Sequence, residues 1–185
     1  MTIVEKYKSN RHVINHGDFI LFSGTGIVAS VIKEADDSKF SHIGIVIEVC
    51  GRFLIIDSNA RGNHPGWLST RIESYNKDAD FCILRSLKNK SEIDKAMNDF
   101  MVQSDDERTK YDFKNGIKEL LNRQFGFNFK IKLDKKHNIC SQSVRKASEN
   151  LNMMYRAFTN KPIVFPQDYT RYRNVINTKL LLLNN

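Results

Sequence analysis

The sequence predicts an α+β fold, because segments with strand character lie mainly in the first half of the chain and helical segments in the second half. Four short apolar runs bounded by glycine or polar residues are typical of β-strands, and the last of them ends near residue 85. Apolar residues at helical spacing dominate from residue 91 to residue 151. The length of 185 residues suits one domain with its own core. We therefore expect a single domain over residues 1–185, with the core at about 17–170.

The N-terminal half begins with a polar leader or short helix and continues with strands. The predicted strands cover residues 18–22, 41–49, 53–56 and 81–85. A glycine-rich turn at residues 24–26 precedes a short predicted helix from Ile27 to Lys33, and this turn lacks the Gly-Lys-Ser/Thr ending of a phosphate-binding loop. The connection Cys50-Gly51-Arg52 predicts a β-hairpin between the second and third strands. Residues 58–70 are expected to form a loop.

The C-terminal half is expected to be mainly helical. Helices are predicted over residues 91–102, 112–121 and 138–151, where apolar side chains recur on one face. An extended segment bounded by Pro162 and Pro166 follows, and the tail is expected to form a last strand.

The charge balance is basic, with 29 lysines and arginines against 21 acidic residues and a formal net charge of +8. Such an excess favours anionic partners in general, including nucleic acids, anionic membranes and cell-wall polymers. The basic residues are interspersed with acidic ones, as at Lys33 and Glu34, which is typical of a solvated surface. No nucleic-acid recognition motif is recognisable, so we expect no specific nucleic-acid partner.

The three cysteines, Cys50, Cys82 and Cys140, are odd in number and show neither CxxC nor metal-like spacing. This pattern argues against a disulfide scaffold and predicts no metal ion or cofactor. No signal-peptide core is recognisable, and no run approaches the roughly 20 apolar residues of a membrane span. We therefore expect a cytoplasmic protein, and the Lys-, Asn- and Ile-rich composition is typical of a bacterium or phage. Cys50 and Cys82 are expected to be small core hydrophobes.

Three polar residues interrupt or end apolar elements in a way that indicates nucleophilic catalysis. His42 stands at the start of the second strand, Asp57 at the end of the third, and Cys140 in the first turn of a predicted helix. In a hairpin, His42 and Asp57 become cross-strand neighbours within reach of a carboxylate–imidazole hydrogen bond. A helix N-terminus and a nearby imidazolium both favour the thiolate form of a cysteine. The three residues together therefore predict a nucleophile, a base and an orienting group.

Each of these residues also has a simpler structural explanation. A lone cysteine is often buried as a hydrophobe, and Asp57 alone would cap a turn. Among the other histidines, we expect His12, His16 and His137 to be solvated, and His64 to border a substrate cleft if it has a role. The hypothesis of a catalytic site depends on the conjunction of Cys140, His42 and Asp57.

Five motifs occur in one order along the chain: Gly17-Asp18-Phe-Ile-Leu-Phe, Ser41-His42-Ile-Gly-Ile-Val-Ile, Phe53-Leu-Ile-Ile-Asp57-Ser, Tyr111-Asp112-Phe113 and Ile139-Cys140-Ser141-Gln142-Ser-Val. This order resembles the circularly permuted papain-like cysteine hydrolases of the NlpC-type superfamily, in the YiiX-like branch related to lecithin:retinol acyltransferase. In that branch the histidine strand precedes the cysteine helix, as it does here. The resemblance covers about Gly17 to Asp168.

The resemblance implies a permuted papain-like fold, in which an antiparallel sheet or half-barrel packs against helices and the nucleophile lies at a helix N-terminus. It implies that Cys140 is the nucleophile and His42 the general base. Asp57 falls where the family usually has a glutamate or another polar orienting residue. The family commonly has Cys-Ser-Glu-Leu at the nucleophile, and Gln142 here replaces the acid, which weakens inference about substrate more than about catalysis.

The resemblance also implies residues that would shape a substrate pocket. Tyr111 and Asp112 match a recurring Tyr-Asp pair near the nucleophile, and Ser41 and Ser141 are the neighbours of the base and the nucleophile. We expect these four residues to contact substrate.

The expected function is a cysteine hydrolase that cleaves an amide, such as a cell-wall peptide, or an acyl ester through a thioester intermediate. The expected partners are a peptide, a peptidoglycan fragment or an acyl-lipid. Two alternatives remain: a catalytically silent binding module on the same fold, and an acyltransferase acting on lipid. The sequence leaves the oligomeric state open.

Overall fold

The computed structural model of the protein describes residues 1–35, 37–59, 62–86, 89–95, 97–98, 110–111, 118, 122, 128, 130, 137–138, 166–171 and 178–181. The helices in these ranges are α1 (Ile3–Asn10), α2 (Ile27–Ala35), α3 (Leu68–Glu73) and α4 (Pro166–Arg171), with a 3-10 turn at Arg11–Val13 and a helical stretch at 90–95. The strands are β1 (Phe19–Ser23), β2 (His42–Val49), β3 (Arg52–Asn59), β4 (Gly62–Trp67), β5 (Asp80–Ser86), β6 (Lys110–Tyr111), β7 (His137–Asn138) and β8 (Thr178–Leu181). The α+β class is therefore confirmed.

Six strands form one antiparallel sheet in the order β4-β3-β2-β1-β5-β8. The strand β1 lies between β2 and β5, and its residues Phe19 to Phe22 are buried on both faces of the sheet. This explains why the first strand is a continuous apolar run and does not alternate with polar residues. The two short strands β6 and β7 form a separate parallel pair.

Most of the predicted elements in the first half are confirmed, including the first strand, the hairpin and the strand near residue 85. The predicted tail strand is present as β8. The helix predicted over 27–33 is present as α2, although Ile27, Val28 and Val31 are exposed. Of the predicted helix 91–102, the structure describes helical residues 91–95 and 97–98. Of the predicted helix 112–121 the structure describes Lys118, which is helical, and of the predicted helix 138–151 it describes Asn138, which belongs to β7; the other residues of both segments lie outside the described ranges.

The loop predicted at residues 58–70 is wrong, because this segment contains β4 and the start of α3. The sequence predicts a loop here because glycine and proline, such as Pro65, are unfavourable inside strands. The strand is tolerated because β4 is at the edge of the sheet, where a proline need not donate a hydrogen bond to a further strand.

The cysteines of the described region differ from each other in environment. Cys50 is exposed and has φ of 49°, followed by Gly51 with φ of 73°, in the two-residue turn between β2 and β3. Two positive φ values are what a tight hairpin turn requires, so the prediction of a core position for Cys50 is wrong. Cys82 is partly buried, and burial together with the Asp80 carboxylate raises the pKa of its thiol to about 12. Cys82 is therefore a protonated, unreactive thiol.

Gly44 lies where β2 approaches the side chains of β3 most closely. A Cβ atom at this position would lie 2.6 Å from both Cγ1 and Cδ1 of the buried Ile55 and 3.2 Å from Cβ of Asp57. Real Cβ contacts are essentially never as short as 2.6 Å, so an alanine here would displace Ile55, and its tight 3.2 Å contact would press on Asp57.

We predict that Gly44→Ala lowers the free energy of unfolding by about 1–3 kcal/mol, the usual cost of overpacking a filled core. Urea unfolding measures the effect. Gly66→Ala is the matched control on the same sheet, because a Cβ at Gly66 meets no atom within 4 Å. Equal stability of the two variants would contradict the close approach at Gly44.

His16 is half-buried, so the prediction that it is solvated is wrong, whereas His12 is exposed as predicted. The backbone N–H of Glu48 donates to His16 Nδ1 at 3.0 Å, and Nε2 lies 3.6 Å from Oδ1 of Asp94. Burial lowers the pKa of His16, and the nearby Asp94 and Glu48 carboxylates oppose this shift only in part. A proton on Nδ1 would also remove the acceptor for Glu48 N–H.

We predict that wild type loses stability relative to His16→Asn as the pH falls from 7.5 to 5.5. The unfolded chain takes up a proton near the ordinary histidine pKa of about 6.5, whereas folded His16 resists it, so the stability present above this pH is lost on acidification. Asparagine keeps an acceptor for Glu48 N–H but does not titrate. Urea unfolding of both proteins at the two pH values measures the difference, and identical pH dependence would contradict the prediction.

Candidate active site

His42 is fixed at the start of β2 by the neighbouring strand and by an aromatic pair. It pairs with Phe22 of β1 in the strand register, and the centroids of the two rings lie 6.0 Å apart. Phe22 in turn stacks on Tyr75, with ring centroids 4.8 Å apart and an interplanar angle of 10°. The imidazole is 16% exposed, so it is packed by these rings and still reaches the surface.

Asp57 lies on β3 with its carboxylate directed at His42. Its Oδ2 is 2.7 Å from His42 Nε2, and the side chain has no exposed surface. The β2–β3 register pairs Ile45 with Ile56, so the next position places Asp57 opposite Gly44 and diagonal to His42. Because Gly44 has no side chain, the carboxylate has room to lie beside the imidazole.

The second oxygen of Asp57 is held by Arg71, a residue that the sequence analysis missed. Arg71 Nη2 donates to Asp57 Oδ1 at 2.7 Å, and the arginine side chain is 23% exposed. Arg71 lies on α3, which packs on the core through the buried Leu68 and Ile72. The i, i+4 spacing of these two apolar residues is the signal that would have indicated a short helix presenting Arg71.

Ser41 belongs to the framework beside the imidazole. Its backbone N–H donates to Phe22 O at 2.9 Å, and its hydroxyl accepts from Gly24 N–H at 3.1 Å. The residue is buried, and these bonds hold the Gly24 turn against the start of β2. A contact between Ser41 and substrate stays a prediction.

The other predicted site residues are described in part or not at all. Cys140, Ser141 and Asp112 lie outside the described residues. The backbone of Tyr111 lies in β6, paired with Asn138 of β7, and both strands contact β4. β4 is paired with β3, and its His64 stands opposite Asp57, so β6 and β7 contact the strand next to the one that carries Asp57.

The described part of the chain offers no ready metal site, because no three His, Cys, Asp or Glu side chains converge within it. His42 and Asp57 are engaged with each other, and Asp57 is also paired with Arg71. None of the helices in the described ranges has the length and apolar character of a membrane-spanning segment.

Comparison with known proteins identifies a related fold. No family model matches the chain, and a search of curated proteins finds no match. Among solved structures, the chain is similar to the crystal structure of the metalloprotein YiiX from Escherichia coli O157:H7, at 14% sequence identity and a TM-score of 0.60. The match covers 92% of this chain and 97% of that chain. The YiiX-like fold is therefore confirmed, whereas the wider papain-like grouping stays a prediction.

Proposed function

We propose that the protein is a cysteine hydrolase in which Cys140 is the nucleophile, His42 the general base and Asp57 the orienting acid. The observation that carries the proposal is the 2.7 Å contact between His42 Nε2 and the fully buried Asp57 Oδ2. A carboxylate that orients an imidazole is the arrangement that nucleophile–base pairs use on many unrelated folds.

The contact also determines which ring nitrogen would move a proton. An ionised carboxylate only accepts hydrogen bonds, so neutral His42 carries its proton on Nε2 and donates it to Asp57. Nδ1 then has the lone pair and is the basic nitrogen. The site therefore uses Nε2 for orientation and Nδ1 for chemistry.

In the proposed reaction, Nδ1 of His42 removes the proton from the Cys140 thiol, and the thiolate attacks the carbonyl carbon of the substrate. The tetrahedral intermediate collapses to a thioester, and the imidazolium gives its proton to the departing amine or alcohol. Nδ1 then deprotonates a water molecule, which attacks the thioester and releases the acid and the free thiol. Asp57 compensates the imidazolium charge in each step.

The placement of β6 and β7 supports a nucleophile at Cys140. Asn138 is two residues before Cys140, and two residues span at most about 7 Å of chain. β7 contacts β4, which lies one strand, about 4.8 Å, from the strand that carries Asp57. Asn138, two residues before the proposed nucleophile, therefore belongs to a strand that contacts β4, the neighbour of the strand that carries Asp57.

The substrate class follows from the chemistry of the site only as far as the bond type. The mechanism suits an amide or an acyl ester, so a peptide, a peptidoglycan fragment and an acyl-lipid are the substrates to test. The net charge of +8 favours an anionic one. Transfer of the acyl group to an acceptor other than water would make the protein an acyltransferase by the same steps.

We predict that iodoacetamide alkylates Cys140 with a pH midpoint below the roughly 8.5 of a free thiol, and that His42→Ala returns the midpoint to about 8.5. The reason is that a neighbouring imidazolium stabilises the thiolate. Peptide mapping by mass spectrometry measures each cysteine separately. Exposed Cys50 is the internal reference, and Cys82 is expected to react slowly because its thiol has a pKa of about 12.

A midpoint for Cys140 that matches Cys50 and does not respond to His42→Ala would contradict catalysis. That result would favour the alternative of a binding module with a silent site.

We also predict that the wild-type protein turns over at least one member of a panel of peptidoglycan fragments and acyl-lipids, and that Cys140→Ala abolishes this turnover. Mass spectrometry of the quenched reaction is expected to detect a thioester on the peptide that contains Cys140. Cys50→Ala is the matched control and should retain activity. Equal turnover by Cys140→Ala would contradict the proposed nucleophile.

A further inference from the structure

We propose that Arg71 is a positioning residue that acts through Asp57 to hold the candidate base in its productive orientation. The inference rests on the proposed function for its chemical meaning, but its geometry is independent of the nucleophile. Arg71 occupies Oδ1 of Asp57 at 2.7 Å while His42 occupies Oδ2 at 2.7 Å. The carboxylate is thus clamped between a side chain from β2 and a side chain from α3.

The clamp is required by the burial of Asp57. An ionised carboxylate without exposed surface is strongly disfavoured unless a cation or several donors compensate it. Neutral His42 supplies one hydrogen bond and no charge, so it does not meet this requirement alone. Arg71 places a permanent positive charge beside the buried carboxylate, whereas His42 carries a charge only when its ring is protonated.

The clamp also fixes the direction of the hydrogen bond. A carboxylate held at one oxygen can rotate and lose its partner, whereas one held at both oxygens by two different elements cannot. Leu68 and Ile72 of α3 are fully buried, so the helix is anchored in the core. Arg71 on the same helix therefore holds the Asp57 carboxylate in a fixed position. The expected consequence is that neutral His42 has its proton on Nε2 and its lone pair on Nδ1.

Elsewhere in the sheet, a second buried carboxylate paired with an arginine offers a comparison that does not involve the candidate base. Arg85 forms a two-bond pair with buried Asp18, at 3.0 Å from Nε to Oδ1 and 2.9 Å from Nη2 to Oδ2, and neither residue contacts His42 in the described bonds. Arg85→Gln therefore removes an arginine from a buried carboxylate in the same way as Arg71→Gln, but away from the candidate base.

The test uses the tautomer of His42, measured by 15N NMR of the full chain with labelled histidine, and the alkylation rate of Cys140. In wild type we expect the Nε2–H tautomer to dominate above the titration of the ring. In Arg71→Gln we expect the tautomers to approach an even mixture and alkylation to slow by about tenfold, the effect of losing one charge-assisted hydrogen bond. Arg71→Lys keeps a charged donor, so its tautomer ratio and alkylation rate should be close to those of the wild type. Arg85→Gln should lower the melting temperature but change neither the tautomer ratio of His42 nor the alkylation rate of Cys140.

An Arg71→Gln protein that melts at lower temperature but keeps the wild-type tautomer and alkylation rate would overturn the proposal, since Arg71 would then only stabilise the fold. If Arg71→Gln does not fold, the double variant Arg71→Gln/Asp57→Asn takes its place, because it leaves no unpaired buried carboxylate. The double variant is compared with the single variant Asp57→Asn. The double variant and Asp57→Asn should have the same tautomer ratio and alkylation rate. A difference between them would overturn the proposal that Arg71 acts through Asp57.

Failure of the proposed function gives a different pattern. Cys140 would then react like Cys50 in the wild-type protein, while the tautomer of His42 would still respond to Arg71→Gln.

Discussion

The buried carboxylate of Asp57 is the constraint on which the candidate site depends. It has no exposed surface, and its oxygens are held by the imidazole of His42 and the guanidinium of Arg71 at 2.7 Å each. The carboxylate keeps both partners only if the β2–β3 register, the absence of a side chain at Gly44 and the packing of α3 are all maintained. The geometry of the candidate site therefore depends on the packing of the core. Polar groups that are held by fixed partners in this way are suited to preorganised chemistry.

The hairpin that carries His42 and Asp57 was predictable because its determinants are local. Two apolar runs separated by Cys50-Gly51 give a hairpin, and the register of a hairpin follows from its turn, so the two polar residues at its open end must be neighbours. Arg71 was not predictable in the same way. It reaches Asp57 only because a Gly- and Pro-containing segment is accepted as edge strand β4, and that depends on pairing with β3 and not on intrinsic propensity.

Helical spacing located α2, but it did not determine what the helix faces. Ile27, Val28 and Val31 recur as they would on a buried face, yet all three are exposed. His16 shows the converse, because a polar sequence context suggested solvent, whereas the Glu48 backbone and the helical stretch at 90–95 enclose the ring. In both cases the pattern predicts the local element, while burial depends on which other elements pack against it.

Sharing Asp57 between two partners has a chemical consequence for the base. A carboxylate bound by His42 alone would have one of its oxygens without the arginine as a partner. Because Arg71 binds the other oxygen, the guanidinium compensates part of the carboxylate charge, and His42 is oriented by a carboxylate that it shares. In the proposed mechanism the ring first accepts a proton from a thiol and then donates it to a leaving group, so it must keep one orientation through both steps. The shared carboxylate thus suits the proposed role of His42, because Asp57 holds one ring nitrogen while Arg71 holds Asp57.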